Sequence, residues 1–113
     1  MFRLIKSDHF SASVEETMDL PNALDFLHQH LRDLQAGRPL ANEYHDHELH
    51  DPPLAGKGFR SCIVGRYPPE AGSTEFQLTY ILIYKKNLRK NTLFLFYVGD
   101  HDQAYEKAAA QYR

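Results

Sequence analysis

The segment Thr92–Gly99 (TLFLFYVG) is apolar nearly throughout, and it constrains the fold more than any other stretch of the chain. A strand without a polar face is stable only inside a sheet, where neighbours take its backbone hydrogen bonds and other layers cover it. The chain must therefore supply more strands, and it does so upstream. Glu75–Tyr84 alternates Phe76, Leu78, Tyr80, Leu82 and Tyr84 against Gln77, Thr79, Ile81 and Ile83, while Phe59–Tyr67 carries Ile63 and Val64. A period of two is that of a strand. The segments between them, Pro68–Ser73 and Lys85–Asn91, are turn-rich, so antiparallel hairpins are the simplest connections. Met1–Lys6 alternates weakly and reads as a short first strand with Phe2, Leu4 and Ile5 available to a core.

The first third carries a helical period instead. Phe10, Val14 and Met18 recur every four residues, the spacing of a short amphipathic helix. Leu20, Leu24, Leu27, Leu31 and Leu34 make a longer stripe with Phe26 beside it, which predicts a helix over 20–36. Pro21 suits a first turn, and Gly37 followed by Pro39 supplies the stop. Asp102–Tyr112, with its Ala108–Ala110 run, reads as a terminal helix. The expected order is β-α-α-β-β-β-α. This is an α+β domain over 1–113, with two N-terminal helices packed on one face of a mainly antiparallel four-stranded sheet, leaving the other face open to a ligand.

A chain of 113 residues is the size of one domain and can bury one core without staples. The single cysteine, Cys62, can form no internal bridge and reads as a buried strand residue, which fits a reducing cytoplasm. No run of about 18 apolar residues exists to span a membrane, and Arg3 and Lys6 are not followed by the apolar core of a signal peptide. The formal charge of −2 conceals an asymmetry: residues 1–51 hold four Lys/Arg against ten Asp/Glu, and residues 52–113 hold nine against five. Charge sorted in this way can present a basic face to phosphate from a mildly acidic chain. The plainer alternative is a set of solvated loop and strand cations.

Residues 38–58 read as a loop of about twenty residues, a length usually kept for function or disorder. It contains Tyr44-His45-Asp46-His47-Glu48-Leu49 and ends in Gly56-Lys57-Gly58-Phe59-Arg60; later come Ile81-Leu82-Ile83-Tyr84 and Val98-Gly99-Asp100-His101, with Tyr105 in the next turn. In this order the motifs resemble those of the YafQ-type toxins of the RelE/ParE superfamily, over the C-terminal two-thirds of the chain. The N-terminal third shares only the strand-helix-helix plan. Thr79 stands where the family carries an acid, Ile63 where it tends to carry a histidine, and both the first loop and the Tyr67–Phe76 hairpin are longer here.

The resemblance implies a RelE-like fold and the toxin of a type II toxin–antitoxin system, an endoribonuclease that cuts mRNA on the ribosome without metal or cofactor. It also implies a cognate antitoxin as partner. In such a reaction the RNA's own 2′-hydroxyl attacks the adjacent phosphate, which needs a base, an acid and positive charge at the phosphate. His47 and His101 occupy the matched positions for the acid/base pair, and Arg60 is the candidate for the phosphate. Lys57 adds charge, Tyr105 is placed to stack on or hydrogen-bond a base, and Lys85, Lys86, Arg89 and Lys90 form a basic hairpin tip suited to RNA backbone.

Each residue also has a bland reading. His47 would be a solvated loop residue, His101 the first residue of a helix, Arg60 the cross-strand partner of an acid, Lys57 a solvated cation, Tyr105 a core aromatic and the lysine cluster a soluble turn. His45, His47 and His50 admit a shared metal ion, but no His-Glu-x-x-His helix or second ligand group accompanies them, so no metal is expected. The rival functions are a ParE-like gyrase inhibitor that needs no acid/base pair, and a degenerate toxin that only binds its antitoxin.

Overall fold

The computed structural model describes residues 1–17, 23–40, 42–50, 53–67 and 78–112. Among the described residues five strands form one sheet: β1 (Arg3–Lys6), β2 (His47–Glu48), β3 (Phe59–Tyr67), β4 (Leu78–Asn87) and β5 (Thr92–Asp100), in the spatial order β1-β5-β4-β3-β2. Pairs β2/β3, β3/β4 and β4/β5 are antiparallel, and β1 lies parallel to β5. The apolar segment is flanked on both sides, as its composition requires.

Helices α1 (Asp8–Thr17) and α2 (Ala23–Gln35) pack on one face of the sheet. Phe10, Leu27, Leu31 and Leu34 meet Cys62, Val64, Leu82, Tyr84, Leu93, Leu95 and Val98 there, all buried. Burying each leucine contributes about 1.5–3 kcal/mol relative to exposure. Ser7 caps α1: its Oγ accepts from the Phe10 N–H at 3.0 Å and donates to the Phe96 carbonyl at 3.2 Å, fastening the helix start to β5.

The opposite face is not left open, which corrects the expectation of a bare ligand face. Helix α3 (His101–Tyr112) lies there, with Ala104 and Ala108 fully buried among Phe59, Ile81, Ile83, Phe96 and Tyr97. Small residues let the helix approach the sheet closely. Leu49 and Leu54 of the long loop join this second core. The pairing of β4 with β5 slips between Ile83 and Tyr84, so that Ile83 faces Tyr97 and Tyr84 faces Leu95. The extra residue of this bulge places both Phe96 and Tyr97 on the α3 side. Both faces are covered, and this is why Thr92–Gly99 needs no polar side.

The sheet has five strands rather than four because two residues of the supposed loop, His47 and Glu48, pair with β3. The parallel β1 pairing was not legible, since register depends on the whole sheet. Strand β4 runs to Asn87, three residues beyond the alternating segment, and β5 ends at Asp100. Met18, Leu20 and Pro21, and the Pro68–Ser73 turn with Glu75, lie outside the described residues. Among the described residues no helix is long and apolar enough to cross a membrane.

Leu95 is fully buried on the interior strand β5. Leu95→Ala is expected to cost about 2–5 kcal/mol through lost transfer energy and the cavity left behind, measured as a lower urea midpoint with an unchanged m value.

Candidate functional site

The loop that carries His47 is anchored at several points. Tyr44, at the end of the 3-10 turn Asn42–Tyr44, meets the buried His30 of α2 edge-on at 4.5 Å between ring centroids. His45 takes φ 47°, a left-handed conformation that histidine tolerates better than most residues. The chain then enters β2, where the Leu49 N–H donates to the Phe59 carbonyl at 3.0 Å.

Asp46 is the strongest of these anchors. Tyr84 donates its hydroxyl to Asp46 Oδ1 at 2.7 Å, and Arg60 reaches the same oxygen through Nε at 3.2 Å and the Asp46 carbonyl through Nη2 at 3.3 Å. Burial works against the Arg60 charge, but the Asp46 carboxylate and the Tyr84 hydroxyl more than offset it, so the guanidinium is held charged. Burial, reinforced by the Asp46 carboxylate, pushes the Tyr84 phenol well above its ordinary range and keeps its proton available to donate. Burial also pushes the Cys62 thiol up, which leaves it unreactive.

On the other side of β3 the register sets His47 opposite Ser61. Ser61 Oγ lies 3.2 Å from His47 Nε2 and 2.9 Å from the Tyr105 hydroxyl, and His47 Nδ1 lies 3.0 Å from the Glu48 carbonyl oxygen. His101, at the start of α3, meets Tyr105 edge-on at 5.4 Å. His45, His47, Ser61, Ile63, Ile81, His101 and Tyr105 line one depression of about 250 Å³. A second hollow of about 430 Å³, bounded by Pro39, Leu40, Asn42 and Asp46, shares His45 and His47 with it.

The sequence-predicted residues therefore divide. His47, His101 and Tyr105 converge. Arg60 does not join them: side chains alternate along β3, Ser61 faces the histidines, and Arg60 turns to Asp46 and Tyr84. It occupies the plainer role of partner to an acid. Lys57 is exposed on a turn between Gly56 and Gly58. Lys85 lies with its Nζ 5.5 Å from the centre of the Phe59 ring, on the histidine side, whereas Lys86 lies 5.1 Å from that of Phe2 on the other. Arg89 and Lys90 are exposed at the hairpin tip, several strand residues from the depression. The supposed basic cluster is thus split by the sheet. Among the described residues no group of three or more His, Cys, Asp or Glu is placed to hold an ion.

Sequence reasoning passed over Ser61 and Asp46. Ser61 was legible as the polar residue between Phe59 and Ile63 on one face of β3, but its partners depended on a strand hidden in the loop.

No family model matches the sequence, and neither does any curated protein. Solved structures do match in fold. A metal-bound toxin from Helicobacter pylori is 26% identical at a TM-score of 0.67, covering 91% of this chain and 98% of its own. YafQ from E. coli strain BL21(DE3) is 22% identical at 0.66, covering 90% and 96%. A chain of the E. coli DinJ-YafQ toxin-antitoxin complex is 25% identical at 0.59, covering 89% and 93%. In fold and coverage the chain resembles these toxins, and its fold is YafQ-like.

Tyr84 sets a pH dependence whose sign follows from its raised folded-state pKa. Its contribution to stability is complete below the unfolded tyrosine value, near 10, and is lost as pH rises past it. Urea melts between about pH 8 and 11.5 are expected to show Tyr84→Phe less stable by about 1–2 kcal/mol at the lower pH, with the gap closing at the upper end.

Proposed function

We propose that this chain is the toxin of a type II toxin–antitoxin pair and a metal-independent endoribonuclease that cuts mRNA on translating ribosomes in the cytoplasm. The observation that carries the reading is the convergence of His47, His101 and Tyr105 on one open depression of a YafQ-like fold. Two histidines on the same surface can divide the work of the cleavage. One takes the proton of the 2′-hydroxyl as its oxygen attacks phosphorus, and the other gives a proton to the departing 5′-oxygen. Arg60 is committed to Asp46, so positive charge at the phosphate falls to the protonated histidine.

Tyr105 and His45 border the space where the nucleotides beside the scissile bond would lie, and the adjoining hollow is wide enough for a base. Lys57, Lys85, Arg89 and Lys90 would meet RNA backbone in a salt-sensitive, sequence-blind way. Lys86, on the far face, is a weaker candidate for the same strand. The DinJ-YafQ complex supports an antitoxin as the cognate partner.

One observation favours a toxin that binds its antitoxin without cutting: Arg60 is turned away from the histidines. An in vitro translation assay separates the readings. The nuclease reading expects translation to stop with mRNA cut inside codons, and His47→Ala and His101→Ala each to lose about 10²–10⁴-fold in cleavage rate. Intact mRNA with wild-type protein would contradict it, and inhibition of gyrase supercoiling in that case would favour the ParE-like alternative.

A further inference from the structure

We propose that Tyr105, Ser61 and His47 form a directed proton relay ending on His47 Nε2, which makes His47 the base and Ser61 its positioning residue. The chemistry assigned to the relay rests on the ribonuclease reading; its direction rests on hydrogen bonding alone. The Glu48 carbonyl oxygen, 3.0 Å from His47 Nδ1, can only accept. Nδ1 therefore carries the hydrogen, and in the neutral ring Nε2 presents a lone pair. Ser61 Oγ, 3.2 Å away, must then donate to Nε2. Its own lone pair accepts from the Tyr105 hydroxyl at 2.9 Å. In the neutral ring each donor is thus assigned in turn.

The setting favours a relay over a passive contact. Ser61 is 1% exposed, between the apolar Phe59 and Ile63 on its strand face, so water does not compete for its hydroxyl. A buried hydroxyl is costly unless it is hydrogen-bonded, and here it is bonded on both sides. Tyr105 is only half-buried and lines the open depression, so the outer end of the chain is the end that RNA can reach.

The step balances. As the 2′-oxygen attacks phosphorus, its O–H bond breaks and the proton joins the Tyr105 oxygen. The proton of Tyr105 passes to Ser61 Oγ, and that of Ser61 to His47 Nε2. The P–O5′ bond breaks, and the 5′-oxygen takes a proton from His101. Both hydroxyls end neutral with their directions reversed, Nε2–H donating to Ser61 and Ser61 to Tyr105. His47 has gained one proton and His101 has lost one. Serine suits the central place because its hydroxyl can donate and accept at once.

The test combines kinetics with ¹⁵N spectroscopy of the whole protein. Ser61→Ala and Tyr105→Phe are each expected to slow RNA cleavage roughly 10- to 100-fold, and the double variant to be no slower than the worse single one, since the three groups act as a unit. Ser61→Thr, which keeps the hydroxyl, is expected to recover most of the rate. In the protein without RNA, the Nε2 resonance of neutral His47 is expected to move downfield in Ser61→Ala as the lone pair loses its donor. A wild-type cleavage rate in Ser61→Ala, additive losses in the double variant, or an unmoved Nε2 resonance would overturn the relay. Should the wild-type protein cut no RNA while the Nε2 resonance responds to Ser61→Ala, the ribonuclease reading fails and the hydrogen-bond relay stands.

Discussion

The Asp46 carboxylate is the constraint on which the site depends. It takes one hydrogen bond from Tyr84 on β4 and one from Arg60 on β3, and so ties the middle of a long loop to two neighbouring strands. A partly buried acid with a charged partner and a neutral donor is far better satisfied than either contact alone would leave it. The next residue is His47, whose side chain leaves on the opposite side. Fixing Asp46 on the α1–α2 side of the sheet therefore fixes His47 on the α3 side, where Ser61 and Tyr105 await it. The Arg60 guanidinium is, in the fold, part of the scaffold that holds His47 in place.

The same sheet explains why the depression exists at all. Helix α3 seals the second face with Ala104 and Ala108, which lie against the strands. His101 and Tyr105 stand at the helix's first turns, beside the end of β5, where the seal gives way. The bulge at Phe96–Tyr97 and the buried Leu49 and Leu54 fill the rest of that face. What remains open is a small hollow with a histidine contributed from each side, one on a loop strand and one on a helix start. Two groups on separate elements can be held apart by a substrate phosphate yet face it together.

Much of this was legible in the residues. The apolar Thr92–Gly99 demanded a central strand, the leucine stripe demanded a helix whose buried face is Leu27, Leu31 and Leu34, and Phe59–Tyr67 is a strand with the bounds its pattern gives. The order of short motifs, rather than periodicity, singled out His47, His101 and Tyr105, which the fold brings to one depression. The fate of Arg60 was not. Its side follows from the register of a two-residue strand that local pattern cannot reveal, because His47 and Glu48 carry no strand signal of their own. The hairpin lysines are divided between the two faces for a related reason: neighbours in sequence on a strand point to opposite faces, and Lys85 and Lys86 do. Ser61 went unnoticed because a serine within a strand has no meaning until its cross-strand partner is known.

The central claim is that two side chains on this surface drive attack by the RNA's own 2′-hydroxyl. Mass spectrometry of the ends left on a defined mRNA fragment tests it most directly. Fragments ending in a 2′,3′-cyclic phosphate, with 5′-hydroxyl ends on their partners, are the predicted result. Fragments carrying 3′-hydroxyl and 5′-phosphate ends would contradict it, since those ends require water rather than the neighbouring hydroxyl as nucleophile.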